Sequence, residues 1–202
     1  ERGFTEETIK KFELGYNPKA KDAFSKAALK KAYDKQVLVS SGLSLINESS
    51  GQIVDRFKER TMFPIQSYSG RTLGFGGIAF SEKAKAKYWN YPETLIYHKS
   101  KVLYGLNFAK HAIGKEGLCY IVEGYTDVIS MHQNGIENVV SASGTAITLE
   151  QIKLINRLAK NVVLLFDGDN AGIKATYKSI NMILKEGMNV KIAAFPKGED
   201  PD

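Results

Sequence analysis

The sequence predicts an α/β protein: a parallel sheet flanked by helices, preceded by a basic subdomain of mixed α+β character. Three observations carry this. From residue 117 short apolar runs alternate with helix-spaced segments, the pattern of a parallel sheet covered by helices. Before residue 117 that regularity is missing, and aromatic and glycine-rich stretches replace it. Charge divides near the same point: residues 1–115 carry 20 Lys and Arg against 11 Asp and Glu, whereas 116–202 carry 8 against 11. The expected division is 1–116 and 117–202.

Taken in order, TEETIKKFEL (5–14) reads as a helix capped by Thr5, with Glu6 and Glu7 in the first turn, where the helix dipole favours negative charge. KAALKKAYDKQVLVSSG (26–42) reads as a second helix ending near Gly42. MFPIQSYSGRTLGFGGIAF (62–80) reads as a hairpin turning at Ser69-Gly70. In the second half LCYIV (118–122), NVVSAS (138–143), VVLLF (162–166) and NVKIAAF (189–195) are strands. Between them lie three helical segments: YTDVISMHQNG (125–135), TLEQIKLINRLAK (148–160) with a threonine cap, and NAGIKATYKSINMILKEG (170–187) with a terminal glycine.

Composition narrows the function. A chain of 202 residues, 43% hydrophobic, buries a core without staples. The single cysteine, Cys119, allows neither an internal disulfide nor a cysteine-based zinc cluster and fits a reducing, cytoplasmic setting. It lies in a strand and is expected to be packing. No apolar run reaches membrane-spanning length, so no membrane partner is expected. The first residue is Glu1 and the last residues are GEDPD, so both ends read as cut from something longer. The net charge of +6, concentrated in the first half, points to a polyanion partner.

Carboxylates gather where strands of a parallel sheet end, the edge at which ligand sites form. Glu123 follows the first strand, with Asp127 one helical turn later; Asp167 and Asp169 follow the third; Asp200 and Asp202 follow the fourth. Six such groups repel one another unless a divalent cation sits among them. An all-oxygen set without cysteine or a matched histidine pair favours Mg²⁺ or Mn²⁺ over Zn²⁺. Gly124 and Gly168 keep the backbone compact for the approach of metal and phosphates. Competing readings of DGD are a plain turn and an EF-hand loop, which fails because its twelfth position is Lys178. A phosphoryl-aspartate hydrolase lacks its downstream threonine. There is no Walker A lysine motif, and GFGG is no dinucleotide fingerprint. His98, His111 and His132 show no metal-pair spacing.

VEGYTDV together with LLFDGDNAG, in this order and at this separation, resembles the Toprim domain shared by bacterial primases, type IA and type II topoisomerases and some nucleases. DRFKERTMFPI, GRTLGFGG, KYWNYPET, YHKSKVLYGL, SASGTAIT and GEDPD resemble the successive motifs of the bacterial DnaG-type replicative primase, in family order over nearly the whole chain except roughly 17–54. The resemblance implies a Toprim-type sheet with Glu123, Asp127, Asp167, Asp169, Asp200 and Asp202 around the metal. It implies a groove for single-stranded template or ribonucleoside triphosphates lined by Arg56, Arg60, Lys87, Tyr88, Asn90 and Lys99. The expected activity is metal-dependent synthesis of short RNA primers on single-stranded DNA at the replication fork, leaving an RNA–DNA hybrid. Asp127, Asp167 and Asp169 are expected ligands; Glu123 is a ligand or a general base.

The family's zinc-binding domain and its contact with the replicative helicase belong to regions this chain lacks, which makes a catalytic-core fragment the expectation. One departure stands out: after GFGG the family usually shows arginine, and this chain has Ile78, so a basic contact is missing or moved to Arg71 or a lysine of 83–87. Tyr88, Trp89 and Tyr91, interleaved with basic residues, are candidates for stacking bases. Core packing is the competing reading for Trp89 and the expected one for Phe63 and Phe75. The rival functions are phosphodiester cleavage by a Toprim nuclease or topoisomerase, and nucleic-acid binding without catalysis.

Overall fold

The computed structural model describes residues 3–79, 81, 86–143, 146–166 and 179–194. In chain order the elements are α1 (Glu6–Lys11), β1 (Gly15–Asn17), α2 (Ala23–Lys30), α3 (Lys35–Ser40), β2 (Ser44–Ile46), β3 (Ile53–Asp55), β4 (Arg60–Gln66), β5 (Thr72–Ala79) and β6 (Tyr88–Trp89). After a 3-10 turn at Lys99–Lys101 come α4 (Leu106–Glu116), β7 (Leu118–Val122), α5 (Tyr125–Gln133), β8 (Val139–Ser141), α6 (Leu149–Asn156), β9 (Asn161–Phe166) and β10 (Asn189–Ala194). They pack as two compact units.

One unit comprises Glu1–Lys11, Gln66–Arg71 and Lys99–Asp202. Its sheet has the order β10-β9-β7-β8, and every pairing in it is parallel. The four expected strands are all present, because runs such as VVLLF carry apolar side chains to both faces, as a sheet covered on both sides requires. Leu103, Ala109, Ile113, Ile121, Val140, Ile152, Ile155 and Leu164 form its core. Cys119 is wholly buried there, as expected, and burial pushes its thiol far above the ordinary range. Gly105 starts α4 at φ +82, and a Cβ on it would meet Val128 Cγ1 at 2.7 Å. This backbone therefore packs against α5 as only glycine allows. Thr148 caps α6 by accepting from Gln151 N, and Gln151 Oε1 accepts from Thr148 N, a reciprocal capping box. Residues 179–185 are helical, and Gly187 follows at φ +70.

The other unit comprises Phe12–Ile65 and Thr72–His98. Its main sheet has the order β1-β4-β5-β6. The chain turns between β4 and β5 at the expected place, with Gly70 at φ +86. The single helix expected over 26–42 is instead two, α2 and α3. Ala32 sits at φ +63 between them, and Asp34 caps α3 by accepting from Gln36 N at 2.6 Å and Val37 N at 3.3 Å. Asp55 of β3 caps α2 from a distance, accepting from Phe24 N, Ser25 N and Ser25 Oγ at 2.8, 2.9 and 2.6 Å. The glycines of LGFGG have a packing reason: a Cβ on Gly74 would meet the Tyr91 ring at 2.6 Å, and one on Gly77 the Phe57 ring at 2.6 Å.

Candidate functional site

The acidic candidates lie in the unit with the parallel sheet and begin where β7 ends. Glu123 is half-buried, and its carbonyl accepts from Ser141 Oγ at 2.6 Å, so the last residue of β8 fixes the backbone. Gly124 then opens α5 in extended conformation. Asp127, one turn into the helix and 9% exposed, returns its Oδ2 to Gly124 N at 2.7 Å. The helix N-terminus favours the ionised carboxylate, and Thr126 Oγ1 donates to its other oxygen at 3.4 Å. A Cβ on Gly124 would stand 3.2 Å from Asp127 Oδ2, which gives the glycine of VEGYTD a steric role. Beneath, Tyr125 packs edge-on against Tyr104 at 4.6 Å between ring centres.

The two carboxylates, four residues apart in sequence, thus stand on backbone tied down by Ser141 Oγ and by Asp127 Oδ2. Asp167, Asp169, Asp200 and Asp202 lie outside the described residues. Among the described residues no three acidic, histidine or cysteine side chains group as a metal cage. The donor chemistry of Glu123 and Asp127 is all oxygen and suits a hard divalent cation.

The other unit carries a separate group of basic candidates, built on β6. Tyr88 pairs with Ile78 and Trp89 with Gly77. Tyr88 is 54% and Trp89 39% exposed, and Lys87 and Asn90 are exposed beside them. Lys87 Nζ sits 5.6 Å from the centre of the Tyr88 ring. Ile78 therefore faces Tyr88 across the ladder. Arg56, half-buried, donates from Nε to Gly42 O at 2.8 Å. Arg60 is buried and donates to Lys87 O at 3.1 Å and Ala86 O at 2.8 Å. Tyr91 is no stacking platform: its ring is buried against Phe57, Phe75 and Tyr97, and its hydroxyl donates to Ser41 O. Phe63 is core and Phe75 partly so, whereas Trp89 is not.

Lys99, in the unit with the parallel sheet, stands on the 3-10 turn and is half-buried. Sequence reasoning missed what holds it. Gln151, fully buried in α6, donates from Nε2 to Lys99 O at 3.1 Å and Val102 O at 2.7 Å, and Thr148 Oγ1 donates to Ser100 O at 2.6 Å. The available signal was the capping-box glutamine at the third position after Thr148.

Residues 1–110 match the family described as DNA primase catalytic core, N-terminal domain, and residues 120–202 match the Toprim-like family. The chain is 42% identical to a DNA primase of Deinococcus radiodurans over 99% of its length and 35% of the relative. It is 41% identical to one of Halalkalibacterium halodurans, covering all of this chain and 33% of that one. It thus spans about a third of the length of these curated relatives. Among solved structures, the Escherichia coli primase catalytic core superposes with TM-score 0.90 at 37% identity, covering 100% of this chain and 64% of that one. The RNA polymerase domain of Mycobacterium tuberculosis primase DnaG does so with TM-score 0.90 at 34% identity, covering 99% and 67%. A DnaG primase catalytic domain bound to ssDNA matches with TM-score 0.89 at 37% identity, covering 100% of this chain and 65% of that one. The chain belongs to the DNA primase catalytic-core family.

Proposed function

We propose that this protein synthesises short RNA primers on a single-stranded DNA template, by nucleotidyl transfer, as part of bacterial cytoplasmic replication. In this reading residues 1–116 supply the basic subdomain that holds template, and residues 117–202 are the Toprim subdomain that carries the chemistry. The observation that carries it is the Glu123–Asp127 pair, fixed at the end of a buried parallel strand, in a chain that matches primase catalytic cores from end to end.

Glu123 and Asp127, with Asp167, Asp169, Asp200 and Asp202, would hold Mg²⁺ or Mn²⁺. Bound there, the cation would acidify the attacking hydroxyl and offset charge on the phosphates. The protein's own residues do the rest. Asp127, held by Gly124 N, keeps one carboxylate in a fixed place through the reaction. Glu123 is either a further ligand or the base that accepts the proton of the primer 3′-hydroxyl as it attacks the α-phosphorus and pyrophosphate leaves. Lys99, and Lys87 with Tyr88 and Asn90, attract and orient the polyanions: lysines bind phosphate oxygens, and Tyr88 offers a face to a base. The primase bound to ssDNA supports a single-stranded template for this chain. Ribonucleoside triphosphates, the helicase and a zinc-binding domain are the further partners of this reading.

The test is incorporation of labelled ribonucleotides on single-stranded DNA beside relaxation and cleavage of supercoiled DNA. Template-dependent incorporation supports primer synthesis. Cleavage or relaxation alone would assign the chain to the nuclease and topoisomerase chemistry of related domains.

A further inference from the structure

Arg60 stands apart from the other candidate template-binding residues. It alone among them is buried, at 5% exposure, and both terminal nitrogens of its fork are engaged, while Nε is buried without a hydrogen-bond partner. Nη1 donates to Lys87 O at 3.1 Å and Nη2 to Ala86 O at 2.8 Å, while Cζ lies 4.8 Å from the centre of the Trp89 ring. Gly77, the cross-strand partner of Trp89, makes room for this: a Cβ there would stand 3.0 Å from Arg60 Cδ. Lys87 O also accepts from Ala79 N at 2.8 Å, so both of its lone pairs are used.

The segment so held needs a clamp. β6 has two residues and sits at the end of the sheet order, at its edge. A ladder that short contributes little order of its own. Arg60 reaches it from β4, two strands away in that order, with a planar fork that engages consecutive carbonyls and a face that meets an indole. Lysine offers neither.

We propose that Arg60 is a positioning residue: it fixes the Ala86–Trp89 edge so that Lys87, Tyr88 and Asn90 are presented to nucleic acid, and it does not itself bind phosphate. The inference deepens the template-binding reading and rests on it. It assigns a structural cause to the exposed Tyr88–Trp89 pair and removes one cation from the phosphate-contact set.

Trp89 is the only tryptophan of the chain, so its fluorescence reports this edge without nucleic acid present. Arg60→Lys and Arg60→Met are compared with the unmodified chain. If Arg60 is a clamp, both variants shift Trp89 emission to longer wavelength and raise its quenching by acrylamide. Both also weaken binding of a fluorescent oligothymidylate by on the order of tenfold, the effect of about one lost charged hydrogen bond. Retention of affinity and of Trp89 emission in Arg60→Lys, with loss only in Arg60→Met, would mean that charge alone matters and would overturn the proposal.

A measurement on the unmodified chain needs no variant to fold. Nitrogen NMR of the free protein should show the Arg60 Nη protons slow to exchange, and a freely rotating guanidinium would overturn the clamp. Failure of the unmodified chain to bind the oligonucleotide, with Arg60 still restricted, would count against the template reading and leave the clamp standing.

Discussion

Asp127 Oδ2 accepts a hydrogen bond from Gly124 N at 2.7 Å, closing the first turn of α5 on itself at the point where β7 delivers Glu123. One contact thus does two jobs: it caps the helix and it locks a carboxylate at the sheet edge. Asp127→Asn keeps an oxygen that can accept from Gly124 N but loses the charge. Its thermal stability should fall by about 0.3–1 kcal/mol, the worth of a negative charge at a helix N-terminus. Its affinity for Mn²⁺, read by calorimetry, should fall at least about tenfold. An unchanged affinity would remove Asp127 from the ligand set.

Gln151 is buried and bonds to Lys99 O, Val102 O and Thr148 N. Gln151→Leu strands those groups and should cost about 2–3 kcal/mol in urea unfolding, since each buried group left without its partner costs roughly 1–3 kcal/mol. The variant should also raise KM for ribonucleotides more than it lowers kcat, through displacement of Lys99.

Lys87 and Lys99 should each contribute to the salt dependence of single-strand binding. Replacing either with alanine should flatten the slope of log affinity against log salt by about 0.7, one phosphate's worth. A weaker binder with an unchanged slope would mark that lysine as structural.

His132 is buried in α5, and its pKa is pushed down to about 4 by burial first and by Lys11 second, with Glu137 opposing. Lys11 and Glu137 pair at 2.8 Å. Below the ordinary histidine range the unfolded chain takes up a proton that the folded chain refuses until about pH 4. Stability is therefore full above about pH 6.5 and declines as pH falls toward 4, by on the order of 3 kcal/mol. Denaturation midpoints measured across this window should fall in the parent and flatten in His132→Leu.

Much of this was legible in the sequence, for physical reasons. Strands buried on both faces are continuous apolar runs, so LCYIV and VVLLF mark β7 and β9 within a residue. Thr5 and Thr148 are caps because a hydroxyl next to free N–H groups has one obvious use. What failed to show were long-range partners and backbone exceptions. Ala32 at φ +63 carries no signal of a break, because alanine is the best helix former. Asp55 caps a helix about thirty residues upstream, which no local pattern reveals. The place of Glu123 and Asp127 at the end of β7 was readable from the strand pattern, but Arg60 read as lining a template or triphosphate groove and Tyr91 as a candidate platform. Their burial follows from Gly77 and Gly74 on the neighbouring strand, whose missing side chains are where those groups fit.

The most direct test of the central claim, that the carboxylates at the end of β7 carry nucleotidyl transfer, is the rate of ribonucleotide incorporation on a single-stranded template by Glu123→Gln. The substitution keeps size and removes charge. Incorporation should fall by about 10²-fold or more, the usual worth of a lost general base, and a lost ligand should cost at least as much. Affinity for the template should not change, because the basic edge is untouched. Incorporation within a few-fold of the parent, at equal template affinity, would contradict the account.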